Sequence, residues 1–201
     1  MTKPTDAPED AGDAAEGPIH DADITLPEAV RPLAWLIGRW SGFGKGQYPT
    51  IEDFTFVQEV EFRCDGRPFL SYSSRSWMID EDGNRIRPTG TETGFWRPQP
   101  GNLVEVVLSH PTGYAEIWHG SLTVAAIENA RITKARIELQ TDVVARTQGA
   151  KDYSQGERLY GLVDGRLLWT FDMAAVGQPM QNHLAATLNP ELTDATEGAS
   201  T

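Results

Sequence analysis

Apolar residues along the chain recur mostly at every second position. Phe54, Phe56, Val60 and Phe62 fall on even numbers, with Thr55, Glu59, Glu61 and Arg63 between them. A period of two marks a strand with one face buried. Val57 and Gln58 interrupt the alternation without abolishing it. Further strand-like runs span residues 69–79, 85–97, 103–108, 114–125, 130–140, 143–147, 153–163, 166–173 and 181–188. Turn chemistry separates them: Asp65-Gly66, the run Asp80 to Asn84, Pro98 to Gly101, Pro111 to Gly113, and Asp164-Gly165. Asp-Gly is a strong hairpin signal because both turn positions take a positive φ. Only Leu26 to Ile37 reads as helix. Pro27 suits its first turn, Leu33, Leu36 and Ile37 form an apolar stripe, and Pro32 kinks or splits it.

About ten short strands in succession, with no helical crossovers between them, exclude a parallel α/β sheet. The expectation is an all-β fold: an up-and-down antiparallel barrel of roughly ten strands with a short N-terminal helix. Closure removes exposed strand edges. Ten strands exceed the eight whose side chains fill the interior, so such a barrel should enclose a ligand cavity. A flattened sandwich with a filled core is the alternative.

Charge locates the ends of the domain. The 201-residue chain carries a formal −12, of which residues 1–25 supply −6 and residues 191–201 supply −3. Both segments are rich in Ala, Asp, Glu, Gly, Pro and Thr, which reads as disordered acidic tails. The folded domain is then residues 26–190 at −3, nearly neutral. Nucleic-acid partners are not expected of an acidic chain. There is no long apolar run for a membrane span and no apolar N-terminal core for a signal peptide. One cysteine, Cys64, excludes an internal disulfide framework. These features together point to the cytoplasm.

The densest signal is Gly38-Arg39-Trp40-Ser41-Gly42-Phe43-Gly44-Lys45-Gly46-Gln47-Tyr48-Pro49-Thr50. Gly42, Gly44 and Gly46 share one strand face. Each costs roughly 0.5–1 kcal/mol relative to Ala, so three in register need a compensating reason. They serve curvature, or they leave a bare wall for something flat. A P-loop does not fit, because Arg39 stands where its first glycine belongs.

Four histidines are candidates for chemistry. His20 lies in the acidic tail. His110 and His119 sit near turns and could meet across a hairpin, but no third metal ligand accompanies them. On a regular strand, His183, Ala185 and Thr187 share one face, and Leu184, Ala186 and Leu188 the other. His183 then stands beside small residues, as a broad ligand anchored by imidazole requires. Which face points inward is open at this stage, as is whether the Leu184/Ala186/Leu188 face lies outside, where it would suggest a homodimer. Cys64 has no histidine near it, and Met173 shares a face with Trp169 and Phe171 and packs rather than ligates. Six tryptophans (Trp35, Trp40, Trp77, Trp96, Trp118, Trp169) supply large apolar walls. No acid–base pair or activated nucleophile is visible.

These residues resemble the nitrobindin family, small haem-binding β-barrels. The pattern G-x-W-x-G-x-G-x-G-x-Y-P-T is matched without a gap from Gly38 to Thr50. Shorter blocks follow in order: Gly66 to Leu70, Glu92 to Pro98, Ser109 to Gly113, Ala150 to Asp152, and Gln178 to Leu184. The resemblance implies a lipocalin-like barrel holding one haem b per subunit. It implies His183 as axial ligand and catalytic residue, Thr50 as a haem contact, and Lys151 near a propionate. Through the glycine motif, Gly38, Trp40, Gly42, Gly44 and Gly46 join the cofactor-binding set. It further implies a ferric, solvent-accessible iron without a distal histidine, isomerisation of peroxynitrite to nitrate, and binding of nitric oxide. Two other readings stand beside it: a carrier of fatty-acid-type ligands, and a haem-based nitric oxide sensor without turnover.

Overall fold

The computed structural model describes residues 25–191. A 3₁₀ helix, Glu28–Leu36, leads into ten strands: β1 Gly38–Tyr48, β2 Ile51–Arg63, β3 Leu70–Ile79, β4 Arg85–Gln99, β5 Leu103–His110, β6 Tyr114–Glu128, β7 Arg131–Arg146, β8 Tyr153–Val163, β9 Arg166–Ala175 and β10 Gln181–Pro190. Each strand pairs with its sequence neighbours, β1 pairs antiparallel with β10, and the sheet closes into a barrel. The sandwich alternative is thereby excluded. The acidic segments read at 1–25 and 191–201 fall, but for Thr25 and Glu191, outside the described residues.

An up-and-down course sorts the connections to two ends. Turns after β1, β3, β5, β7 and β9 form one rim; those after β2, β4, β6 and β8 form the other. The 3₁₀ helix plugs the second end, where Val30, Leu33 and Leu36 are fully buried. Bonds spanning three residues open and close it, from Val30 N–H to the Pro27 carbonyl (3.0 Å) and from Ile37 N–H to the Ala34 carbonyl (3.2 Å). Pro32 sits inside without splitting it. The Trp40 indole donates to the Leu36 carbonyl at 2.8 Å and locks β1 to this plug. Such a long 3₁₀ run is uncommon in isolation, and burial of its apolar stripe sustains it.

The interior differs from the expected hollow. From the plugged end upward it is filled by Phe62, Leu70, Trp96, Val106, Ile137, Leu167 and Leu188, all at most 1% exposed. Towards the open rim the core-facing side chains become half-buried: Phe54, Tyr114, Val144, Met173 and Leu184. Room for a ligand is therefore confined to the mouth rather than running the length of the barrel.

Two interruptions of the period have local causes. Gln58 is buried in register with Phe56 and Val60, because its amide donates to Ser74 Oγ and accepts from the Trp169 indole, both at 2.8 Å. A buried amide is tolerable when its hydrogen bonds are made. The gap read between 140 and 143 is a bulge in a single strand, since Trp118 pairs with Thr141 and Ile117 with Val143. Asp164 and Gly165 do form the tight β8–β9 turn, with φ of 51° and 71°. Asp65-Gly66 instead belongs to a longer connection, where the Asp65 carboxylate binds the Arg67 side chain.

Candidate functional site

The open rim gathers residues from β1, β9 and β10 around His183. Within the β9–β10 ladder Asn182 opposes Asp172 and Leu184 opposes Phe171, so His183 is an extra residue with no partner on β9. Such a bulge re-aims a side chain. The reading that His183 shares a face with Ala185 and Thr187 is corrected here. Its imidazole turns among core-facing rings, with Tyr48 at 5.4 Å and Phe171 at 6.0 Å between centroids, both edge-on. Leu184, Ala186 and Leu188 also line the core, so that face offers no dimer surface. Asn182 pins the bulge by donating to the Asp172 carboxylate at 2.7 Å and reaching the Leu184 carbonyl at 3.4 Å.

The imidazole has a defined tautomer. Its Nδ1 lies 2.9 Å from the Gln47 carbonyl oxygen, which can only accept, so Nδ1 carries the proton. Nε2 then presents its lone pair, and no described residue hydrogen-bonds to it. Burial holds the His183 pKa below its ordinary value, only partly opposed by the Gln47 carbonyl, which keeps the ring neutral near pH 7. A neutral imidazole anchored through Nδ1–H to a backbone carbonyl is the arrangement that metal-ligating histidines adopt. The donor set therefore fits a haem iron.

Tyr48 fixes the ground beneath this ring. Its hydroxyl accepts from the Ala175 N–H at 2.9 Å and lies 3.2 Å from the Met173 and Ala175 carbonyls. It thus ties β1 to the end of β9. Cys64 and His119 lie apart from this cluster: the Cys64 thiol faces the Arg67 carbonyl, and exposed His119 contacts Gln140. His110 and His119 do not meet, and among the described residues no group of three or more His, Cys, Asp or Glu is arranged to hold a metal.

The glycine face is where the structure and the bare-wall reading part. Gly42, Gly44 and Gly46 do face inward. A Cβ on Gly42 would strike the β10 backbone at Thr187 and Leu188, so this glycine permits close strand approach. Cβ atoms on Gly44 and Gly46 would strike the rings of Phe56 and Phe54, which lie across them from β2. The flat groups on this wall are the chain's own phenyl rings. Gly38 and Trp40 sit at the plugged end and do not join the His183 cluster. Thr50 and Lys151 do lie on the open rim, exposed, in the turns after β1 and β7. The Lys151 carbonyl accepts from the Tyr114 hydroxyl at 2.9 Å.

Opposite His183 lies a group that the sequence reading did not single out. Arg158, 3% exposed, binds Glu92 with two bonds of 2.7 and 2.9 Å. Tyr72 donates to Glu92 at 2.9 Å. Glu116, 2% exposed, lies 2.8 Å from His110 Nε2 and accepts from the Trp118 indole at 3.1 Å. Burial alone would raise the Glu92 pKa, but the Arg158 guanidinium, aided by His110 and Tyr72, holds it at about 2. Glu116 is likewise held down against burial, by His110 and Arg158. An Arg and a Glu far apart in sequence give no periodic signal; the only hint was polar residues on inward positions of β6 and β8.

The comparisons with known proteins fall on this geometry. Residues 29–189 match the family described as THAP4-like, heme-binding beta-barrel domain. The chain belongs to that family. A peroxynitrite isomerase of Nocardioides sp. is 48% identical over 157 residues, covering 78% of this chain and 90% of the relative. A ferric nitrobindin-like protein of Kineococcus radiotolerans is 43% identical over 177 residues, covering 81% and 93%. The crystal structure of Rv2717c from M. tuberculosis superposes with a TM-score of 0.76 at 35% identity, covering 84% of this chain and all of that one. This haem-binding barrel family thus accounts for the domain from the end plug to the last strand.

Proposed function

We propose that this barrel binds one haem b through His183 Nε2 and isomerises peroxynitrite to nitrate, with nitric oxide as a second ligand. The observation that carries the proposal is the His183 ring itself: neutral, tautomerically fixed by Gln47, and turned into the mouth by a bulge. Relatives named as peroxynitrite isomerases, such as those of Nocardioides sp. and Frankia casuarinae, support the activity.

A bound haem iron supplies Lewis-acid polarisation of a peroxynitrite oxygen, which weakens the O–O bond. The chain's own residues do the rest. His183 holds the group and Gln47 orients His183. At the rim, exposed Thr50 offers a hydroxyl contact to the haem and exposed Lys151 a cation to its carboxylates. Isomerisation conserves atoms and charge, so no protein acid or base is required. Half-buried mouth residues leave the site open to small anions. Gly38 and Trp40 act through the placement of β1 and not by contact.

A fatty-acid carrier would need a long apolar cavity, and here the lower barrel is filled and the upper wall carries buried charges. The site we read takes small-molecule substrates, and a cytoplasmic location accords with a single cysteine, Cys64, and so no internal disulfide framework. Among the described residues no helix is long and apolar enough to cross a membrane. Stopped-flow decay of peroxynitrite by the haem-loaded protein tests the activity. Accelerated decay with nitrate as product is expected, and decay no faster than in buffer removes the enzymatic claim.

A further inference from the structure

The methionines among the described residues are sorted to one end of the barrel. Met78 lies at the end of β3, Met173 near the end of β9, and Met180 in the turn that follows; all three are half-buried at the open rim. The filled lower barrel is packed with aromatic and branched aliphatic side chains instead. Packing does not demand sulfur at the rim, because Met and Leu exchange in cores at little cost. What methionine adds is a polarisable, electron-rich thioether.

Met173 is the one placed beside the candidate axial ligand. The inward positions of β9 run Trp169, Phe171, Met173 and Ala175. Phe171 meets the His183 ring at 6.0 Å, and Met173 is the next inward residue towards the rim, about 7 Å further along the strand. From β1, the Tyr48 ring lies 5.4 Å from that of His183, while the Tyr48 hydroxyl lies 3.2 Å from the Met173 carbonyl. In the β9–β10 ladder Met173 pairs with Gln181, two residues before the His183 bulge. Phe171, Tyr48 and the ladder thus bracket Met173 at the flank of the His183 ring.

Peroxynitrite is an oxygen-atom donor to thioethers as well as a substrate for isomerisation. In that transfer its O–O bond breaks and an S–O bond forms. The sulfur loses two electrons, the remainder departs as nitrite, and no proton or further reactant is needed. The sulfoxide left behind is polar and chiral where the thioether was apolar.

We propose that Met173 is a modification site for peroxynitrite: oxygen transfer to its sulfur turns an apolar flank of the His183 site polar and weakens haem binding. The inference rests on the haem reading above. It gives the barrel two outcomes for one oxidant. With haem bound the oxidant is isomerised to nitrate; without haem it is reduced at Met173 and leaves as nitrite. Methionine sulfoxide reductases return the sulfoxide to thioether, so the modification is reversible.

The experiment exposes the full-length protein to peroxynitrite before haemin is added. Peptide mass spectrometry reads the oxygen gained at Met78, Met173 and Met180, and haemin titration at the Soret band reads the affinity. Oxidation at Met173, with an affinity about tenfold below that of untreated protein, is expected, the cost of an unpaired polar group against an apolar ligand. Haem loaded before the oxidant is expected to protect Met173 severalfold relative to Met180. Met173→Leu keeps the volume without the sulfur, and its affinity is expected to be the same before and after the oxidant. Met173→Gln places a polar group there without any oxidant and is expected to show the tenfold loss by itself. An unmodified Met173, equal oxidation with and without haem, or a Met173→Leu protein that loses affinity as wild type does overturns the proposal. A folded Met173→Gln protein with wild-type affinity overturns it as well. Failure of the untreated wild-type protein to take up haem would instead sink the functional reading, so the two failures are distinguishable.

Discussion

The His183 imidazole and the Gln47 carbonyl meet on neighbouring strands at the mouth, 2.9 Å apart, and this contact ties β10 to β1 just beyond their last ladder pair, Gly46 with Leu184. Because the acceptor is backbone, substitution at Gln47 leaves it in place. The ring is instead vulnerable through the bulge that delivers it.

Asn182 holds that bulge through Asp172 and the Leu184 carbonyl. Asn182→Ala is expected to keep the barrel but to weaken haem binding by about 10–100-fold, the usual cost of losing a group that orients a metal ligand. Haemin titration monitored at the Soret band measures the affinity, and far-ultraviolet circular dichroism monitors the fold. Unchanged affinity would show that the strand itself, and not this side chain, sets the ring.

Tyr48→Phe removes the acceptor of the Ala175 N–H and leaves a buried donor unpaired. A loss of about 1–3 kcal/mol is expected in denaturant unfolding. The variant also frees the end of β9 beside His183, so haem should dissociate faster than from wild type.

Acid stability should report the buried ion pair. Glu92 is held at about 2 when folded, against an ordinary carboxylate value of 4.5. Its contribution is therefore fully present above about 4.5 and is lost as pH falls towards about 2. The difference between wild type and Glu92→Gln, measured by denaturant unfolding across this range, should be constant above the upper value and shrink below it. A difference that is independent of pH would mean that Glu92 is not ionised through its pairing with Arg158.

Glycine substitutions should separate close approach from idle sequence. Gly42→Ala drives a Cβ into the β10 backbone, which cannot step aside as a side-chain tip can. A loss of about 1–3 kcal/mol or more is expected. Gly149 has open space around its position, so Gly149→Ala should be near neutral. Paired thermal melts check both.

Much of the fold was legible because an up-and-down barrel is written in local terms. The alternation through β2, the turn at Asp164-Gly165 and the apolar stripe of Leu33 and Leu36 each encode one element. Closure was not legible in this way, since the same succession of hairpins also fits a flattened sandwich; the β1–β10 ladder decides it. What periodicity hid were the exceptions to it. Gln58 looks like a break but is an inward amide with two partners. On a regular strand His183 shares a face with Ala185 and Thr187, and one extra residue turns it instead among the core-facing rings, a change that register alone decides. The glycine series was rightly placed on one face, yet its occupants, Phe54 and Phe56, come from the neighbouring strand and could be assigned only once the register was known. The Glu92–Arg158 pair spans 66 positions, a separation at which sequence carries no pairing signal.

The central claim is one bond from His183 Nε2 to haem iron. Comparison of haem content and Soret spectrum between wild type and His183→Ala, each reconstituted with haemin, tests it most directly. Stoichiometric uptake with a sharp Soret band by wild type, and loss of both by the variant with its circular dichroism unchanged, is the expected result. A folded variant that retains the same band and haem content would contradict the account.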